Sequence, residues 1–168
     1  MARISVQESA PKPDPEVKKL SVLVGRWTFK GEYKAGPLGP GGKVTGEYTG
    51  RMILGGFFFQ GRFREQAPLG EMGGLEVEAY DPASKSFVSA WYLSGGITMP
   101  GTLTVSGNTF TWEGKLMAAG EQHRYKQTLK VAANLTSWAL KSEISVDGST
   151  WMPWFEEKGT KAKRAAKK

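Results

Sequence analysis

The chain has 168 residues, which is enough for one domain to bury a continuous core without disulfides or metals. It contains no cysteine, so disulfides, thiolate metal sites and cysteine nucleophiles are excluded, and one histidine alone cannot supply the usual ligands of zinc or haem iron. We therefore expect no metal and no cofactor. Neither a signal peptide nor an apolar run near the roughly 20 residues of a membrane helix is evident, so we expect a cytoplasmic protein without a membrane span.

The formal net charge of +7 is concentrated at the C-terminus. Six of the 23 Lys and Arg residues lie in the last eleven positions, KGTKAKRAAKK, and the rest of the chain is close to neutral. No large apolar residue follows Phe155, so residues 159–168 are predicted to form a disordered basic tail. The tail has two interpretations: a solubilising terminus, or a weak and salt-sensitive attachment to nucleic acid or another polyanion.

One short helix is predicted near the N-terminus. Residues 1–13 are polar and rich in proline, which is typical of a flexible segment. Asp14 can cap the helix, and the proline that follows it suits the first helical position. Leu20 lies on the apolar side of this helix, and Gly25 is expected to end it.

After the helix, the apolar residues recur with a period of two, which indicates β-strands. Turn-forming Gly, Asn, Asp and Pro residues separate the runs. Strands are predicted at residues 27–34, 44–54, 57–64, 74–80, 86–93, 97–105, 109–116, 121–131, 137–146 and 150–158. About ten strands with one apolar face each predict an all-β protein: a closed antiparallel up-and-down β-barrel over residues 14–158. Closure removes the exposed strand edges that would otherwise recruit other chains.

The two ends of this barrel have different sequence features. Trp27 follows the helix directly and is expected to plug the barrel end beneath it. The glycine-rich segment 36–42 has neither the Lys-Ser/Thr nor the following helix of a phosphate loop, so it is predicted to be a hairpin loop at the barrel mouth.

Glycines recur on the inward phase of several strands, where glycine weakens a strand unless the backbone bends or something approaches it closely. They are Gly31, Gly46, Gly50, Gly61, Gly101 and Gly114. Strand curvature is the favoured explanation, and a ligand packed against the backbone is the alternative.

The segments LVGRW, RMILGGFF, GGLEVEAYDPASKSFVSAWYLSGG and GTLTVSG resemble the bacterial domain-of-unknown-function family 1579, whose members are similar to calycins, the lipocalin-like barrels. The resemblance covers roughly residues 17–158. It implies a closed antiparallel barrel with a helix near one end and an interior that holds a small apolar molecule. It implies no activity. Nitrobindin, a haem-binding relative of the calycins, needs a histidine near the end of its barrel, and no histidine follows His123 here.

Aromatic residues are abundant on the predicted inner face, which is typical of a small-molecule pocket, although a filled core uses the same residue types. His123, Tyr125 and Gln127 share one strand face and are predicted to supply polar contacts. The candidate ligand-binding residues are Phe29, Tyr33, Tyr48, Phe57, Phe59, Trp112, His123, Tyr125, Gln127 and Trp138.

These patterns predict a monomeric or homodimeric barrel that binds a small apolar or amphipathic molecule. The main alternative is an enzyme that uses the same pocket, with His123 as general acid/base opposite a carboxylate such as Glu65. An internal polar network around His123 without a ligand is also compatible with the sequence. A third hypothesis is polyanion binding through the basic tail, to which any weak contact with nucleic acid is expected to be confined.

Overall fold

A computed structural model describes residues 11–118 and 120–162. Ten antiparallel strands form one closed barrel, in which each strand pairs with its neighbours in sequence and the last strand pairs with the first. The strands are β1 (Gly25–Tyr33), β2 (Gly42–Ile53), β3 (Phe58–Ala67), β4 (Gly70–Asp81), β5 (Ser86–Leu93), β6 (Ile97–Ser106), β7 (Thr109–Ala118), β8 (Glu121–Val131), β9 (Ser137–Ser145) and β10 (Met152–Lys161). The predicted all-β class and the closed up-and-down barrel are confirmed.

The predicted N-terminal helix is a 3-10 helix over Pro15–Leu23. The side chain of Asp14 caps it by accepting a hydrogen bond of 2.9 Å from the backbone N–H of Glu16. Leu20 is fully buried on the side that packs against the ends of β2, β3 and β4. The helix therefore covers one end of the barrel. A second 3-10 segment, Leu54–Gly56, connects β2 to β3.

The helix ends at Leu23, two residues before the predicted stop Gly25, which has a positive φ of 125°. Val24 is the cap residue, and its N–H donates to the carbonyl of Ser21 in the last turn. Val24 is already extended, with φ −66° and ψ 133°, and Gly25 is the first residue of β1. Helix and strand thus follow one another without a loop.

The predicted start of the tail at residue 159 also needs correction. Gly159–Lys161 belongs to β10 and pairs with Trp27–Phe29 of β1. Aromatic rings from other strands contact this segment in place of large apolar side chains of its own. The ring of Trp138 covers Gly159, and the Nζ of Lys161 lies 5.0 Å from the centre of the Trp27 ring. The remaining tail residues, 163–168, and residues 1–10 of the predicted N-terminal segment lie outside the described residues.

Trp27 occupies the covered end of the barrel, as predicted. Its side chain is 1% exposed, and its Nε1 donates a hydrogen bond of 3.1 Å to the carbonyl of Leu23 at the end of the helix. The opposite end is a mouth formed by the loops that follow β1, β3, β5, β7 and β9. The glycine-rich loop after β1 lies at this mouth, in agreement with its prediction.

Close approach between neighbouring strands explains several inward glycines. A Cβ added at Gly31, Gly101 or Gly114 would collide with a backbone oxygen of the adjacent strand. Larger residues would therefore push the strands apart, which supports the predicted role of these glycines in curvature. None of the helices within the described ranges is long and apolar enough to cross a membrane.

Candidate functional site

The barrel interior contains a cavity of about 540 Å³ that opens at the mouth. Its wall is mainly apolar and aromatic, and the rings of Phe29, Phe63, Trp91, Trp112 and Trp138 contribute much of it. Trp91 and Trp112 meet edge to face, with ring centres 6.2 Å apart. Since ligand pockets commonly measure about 300–1,000 Å³, this space is large enough for one small organic molecule.

The structure brings six of the ten predicted site residues to the cavity wall. They are Phe29, Tyr33, Tyr48, Trp112, Gln127 and Trp138. All six point inward, as the period of two predicted, and lie between the helix-covered end and the mouth. The other four predicted residues are placed elsewhere.

Two of those four belong to the packed part of the barrel, and a third lies outside the strands. Phe57 lies in the turn before β3 and is half-buried, whereas Phe59 is fully buried against Gly50 at the covered end. Tyr125 is also fully buried, and its Oη donates to the carbonyl of Met99 at 3.4 Å. The inward direction of Phe59 and Tyr125 was predicted, but both are packed into the core and do not line the cavity.

His123 is the fourth residue outside the cavity wall. Its Nε2 lies 3.4 Å from Oε2 of Glu121, an exposed neighbour on the same strand, and its buried Nδ1 has no hydrogen-bond partner within the described ranges. Glu65, the carboxylate considered as its partner, instead accepts a hydrogen bond of 2.8 Å from Tyr33. Within the described residues, His123 and Glu65 therefore form no hydrogen bond with each other.

We expect His123→Ala to change the affinity for a neutral apolar dye by less than about twofold, because the imidazole does not line the cavity. Nile red fluorescence titration measures this affinity, and Glu121→Ala serves as a control that removes the neighbouring carboxylate. A tenfold loss confined to His123→Ala would return His123 to the binding site.

Four glutamates are buried, and the sequence interpretation considered only Glu65 among them. Glu65, Glu76, Glu78 and Glu157 are each at most 7% exposed. A signal was present: Glu76 and Glu78 alternate with apolar residues in GGLEVEAY, and Glu157 is in phase with the buried Phe155. Buried carboxyls are rare in protein interiors, so their inward phase marks this barrel as unusual.

The pair Glu76 and Glu78 lies on β4. Oε1 of Glu78 accepts hydrogen bonds from Trp112 Nε1 at 2.8 Å and from Ser89 Oγ at 2.9 Å. Tyr48 Oη donates to Oε2 of Glu76 at 3.4 Å, whereas Oε1 of Glu76 is buried without a hydrogen-bond partner among the described residues. Burial raises the pKa of Glu78 to about 8 against the opposing effect of its two hydrogen bonds, and burial beside Glu78 raises the pKa of Glu76.

The second pair is formed by Glu65 on β3 and Glu157 on β10. Burial raises the pKa of Glu157 to about 8, and the neighbouring charge of Glu65 adds to that rise. Burial also raises the pKa of Glu65, although the hydrogen bond from Tyr33 opposes it. Glu65, Glu76 and Glu157 line the cavity, whereas Glu78 lies behind Trp112 and supports its indole.

Basic groups are scarce in the cavity wall. Among the described residues that line it, Lys34 alone carries a basic side chain; it lies at the mouth, 3.3 Å from Glu32, and is partly exposed. Within residues 11–118 and 120–162, no three acidic or histidine side chains converge in a way that suits a metal ion. The cavity is thus apolar, aromatic and acidic.

Comparison with known proteins gives a family and a fold. A family model described as "Protein of unknown function (DUF1579)" matches residues 12–161. The crystal structure of Rv2717c from M. tuberculosis is similar, with a TM-score of 0.67 and 14% identity over 90% of this chain and 100% of that one. A de novo designed fluorescence-activating β-barrel aligns with a TM-score of 0.45 and 14% identity over 86% of this chain and 98% of the design. No curated protein matches.

Proposed function

Given that the chain belongs to DUF1579, a family of proteins of unknown function, we propose that its barrel binds a small, largely apolar molecule in the interior. The cavity of about 540 Å³ is the observation that carries this proposal. A small barrel either fills itself with side chains or leaves room for one small ligand, and here the space between helix and mouth is not filled. Its aromatic walls with a few converging polar groups have the composition of small-molecule sites.

The lining residues offer two kinds of contact to a ligand, apolar surface and hydrogen bonds. Phe29 and Trp138, with ring centres 6.0 Å apart, present apolar surface on one side of the cavity, and Trp91 and Trp112 present it on another. Burying apolar ligand surface against these rings supplies most of the binding energy. Gln127 is a polar group on the wall that can orient a bound molecule by hydrogen bonding.

Access to the cavity is from the mouth, which is itself apolar. Leu38 lies there half-buried in the loop after β1, and Leu69 in the loop after β3 is 77% exposed. Both residues belong to the cavity lining. An apolar entrance favours the partition of an apolar molecule from water into the barrel.

We expect Leu140→Trp to weaken Nile red binding at least about tenfold, because a bulkier side chain at this lining position occupies ligand space. Fluorescence titration gives the dissociation constant, and urea unfolding checks that the variant remains folded.

Ala139→Trp is the matched control, because Ala139 is the preceding residue of β9 and faces outward, exposed. Equal weakening in both variants would show that the dye binds outside the barrel. Full binding by Leu140→Trp would contradict the proposal in the same way, and so would no Nile red binding by the wild type.

A further inference from the structure

We propose that the ligand is an organic cation, an apolar skeleton that carries a protonated amine, and that the buried carboxyls of the cavity wall, above all Glu76, bind its charge. This inference rests on the proposed ligand-binding function and names the chemical class of the ligand.

The first support is the one-sided charge of the wall. Glu65, Glu76 and Glu157 are all inside, and Glu71 adds a fourth, exposed carboxylate at the mouth. The single basic side chain among the described lining residues is Lys34, which is at the mouth beside Glu32. An anionic ligand would find no other basic partner among these residues, whereas a cation would supply the positive charge that the ionised carboxyls lack.

The second support is an unsatisfied acceptor. Glu76 lines the cavity and is only 1% exposed. Its Oε1 is buried and has no hydrogen-bond partner within the described part of the chain. Its other oxygen, Oε2, is held by Tyr48 Oη at 3.4 Å. A buried acceptor without a donor is unfavourable, and an ammonium N–H from a ligand would satisfy it with a charge-assisted hydrogen bond.

The third support is the construction of the wall around Glu76. A Cβ at Gly61 would lie 2.8 Å from Oε2 of Glu76 and 2.5 Å from Oη of Tyr48, so the absence of a side chain there leaves room for this pair. Trp91 is the direct register partner of Glu76 on β5, and both residues line the cavity. An aromatic ring beside a carboxylate is a favourable setting for a cation, because its face also attracts positive charge.

The raised pKa values of these carboxyls agree with this assignment. Burial is the largest cause for Glu65, Glu76 and Glu157, and for Glu76 and Glu157 a neighbouring carboxylate is the next. Such shifts arise where the ionised form is taken from water without a cationic partner. A bound ammonium group would stabilise the ionised carboxylate and so oppose the effect of both causes on the pKa.

Three probes that share one skeleton test the charge preference. At pH 7, 4-phenylbutylamine is a cation, 4-phenylbutan-1-ol is neutral and 4-phenylbutanoate is an anion. Isothermal titration calorimetry on the full chain is expected to give a dissociation constant at least about tenfold lower for the amine than for the alcohol, with the acid weakest. Leu140→Trp is expected to weaken binding of the amine, which would place it in the cavity.

Carboxyl variants locate the charge contact. Glu76→Gln keeps the shape of the side chain. It is expected to abolish most of the preference for the amine over the alcohol while leaving alcohol binding intact. Glu157→Gln is the second variant, which measures the part of this preference that depends on Glu157. Glu156→Gln is the matched control, because Glu156 is the exposed neighbour of Glu157 and pairs with Lys141. It is expected to change nothing.

Two results separate failure of this inference from failure of the proposed function. If Nile red binds the wild type but the alcohol or the acid binds as tightly as the amine, the cavity binds ligands and the cation assignment is overturned. If neither Nile red nor any of the three probes binds, the ligand-binding function falls and the cation assignment falls with it.

Discussion

Trp27→Ala is expected to lower the free energy of unfolding by about 3–5 kcal/mol, the range for removing a large buried aromatic side chain. The side chain is 1% exposed and fills the barrel end beneath the 3-10 helix. Its loss also removes the hydrogen bond to Leu23 and the contact of the Lys161 ammonium with the ring. Helix, first strand and last strand would all lose a shared anchor.

The same variant is expected to retain its affinity for Nile red, because Trp27 does not line the cavity. Urea unfolding gives the stability, and fluorescence titration below the unfolding transition gives the affinity. Trp138→Ala is the contrasting variant, since Trp138 is a buried tryptophan on the cavity wall and its removal is expected to weaken binding. Unchanged stability with lost binding in Trp27→Ala would show that the ligand site extends to the helix end.

The second large effect concerns Glu157 and pH. Its pKa in the folded protein is raised from 4.5 to about 8, mainly by burial. Between these two values the folded state holds a proton that the unfolded state has released, so stability falls as pH rises. At about 1.4 kcal/mol per pKa unit, this carboxyl alone lowers the stability by roughly 3–4 kcal/mol between pH 5 and pH 8.

Glu157→Gln removes this dependence, because the amide does not titrate. The stability difference between wild type and variant, measured by urea unfolding across that pH range, is therefore expected to change by the same roughly 3–4 kcal/mol in favour of the variant. Glu78 has a similarly raised pKa and contributes equally to both proteins, so it cancels in the difference. Glu156→Gln is the exposed control, and a parallel response of both variants would contradict a buried, protonated Glu157.

Several features of the barrel could be predicted from local patterns alone. Asp14 followed by proline marks a helix start, because a capping oxygen and a missing donor suit that position wherever the helix lies. The alternation of apolar and polar residues shows which side of a strand faces inward. It assigned Phe29, Tyr33 and Trp138 correctly to the interior. The helix start and the inward side of a strand both depend on residues that are neighbours in the chain, so they can be predicted without knowledge of the fold.

Depth along the barrel and contacts across it were decided by the tertiary structure. Period two gives a side chain its face but not its height, which depends on strand register and closure. Phe59 at the covered end therefore points inward yet misses the cavity wall. His123 and Tyr125 miss it although their register partners Leu116 and Ile144 line it, and the Oη of Tyr125 instead contacts Met99 across the barrel wall. Glu65 and Glu157 lie close enough for the charge of one to affect the other, although they are on the third and the last strand. The closure of β1 against β10 brings the last strand round to the first. The nearness of Glu65 and Glu157 arises from that closure, since no local pattern records which distant strands lie close together.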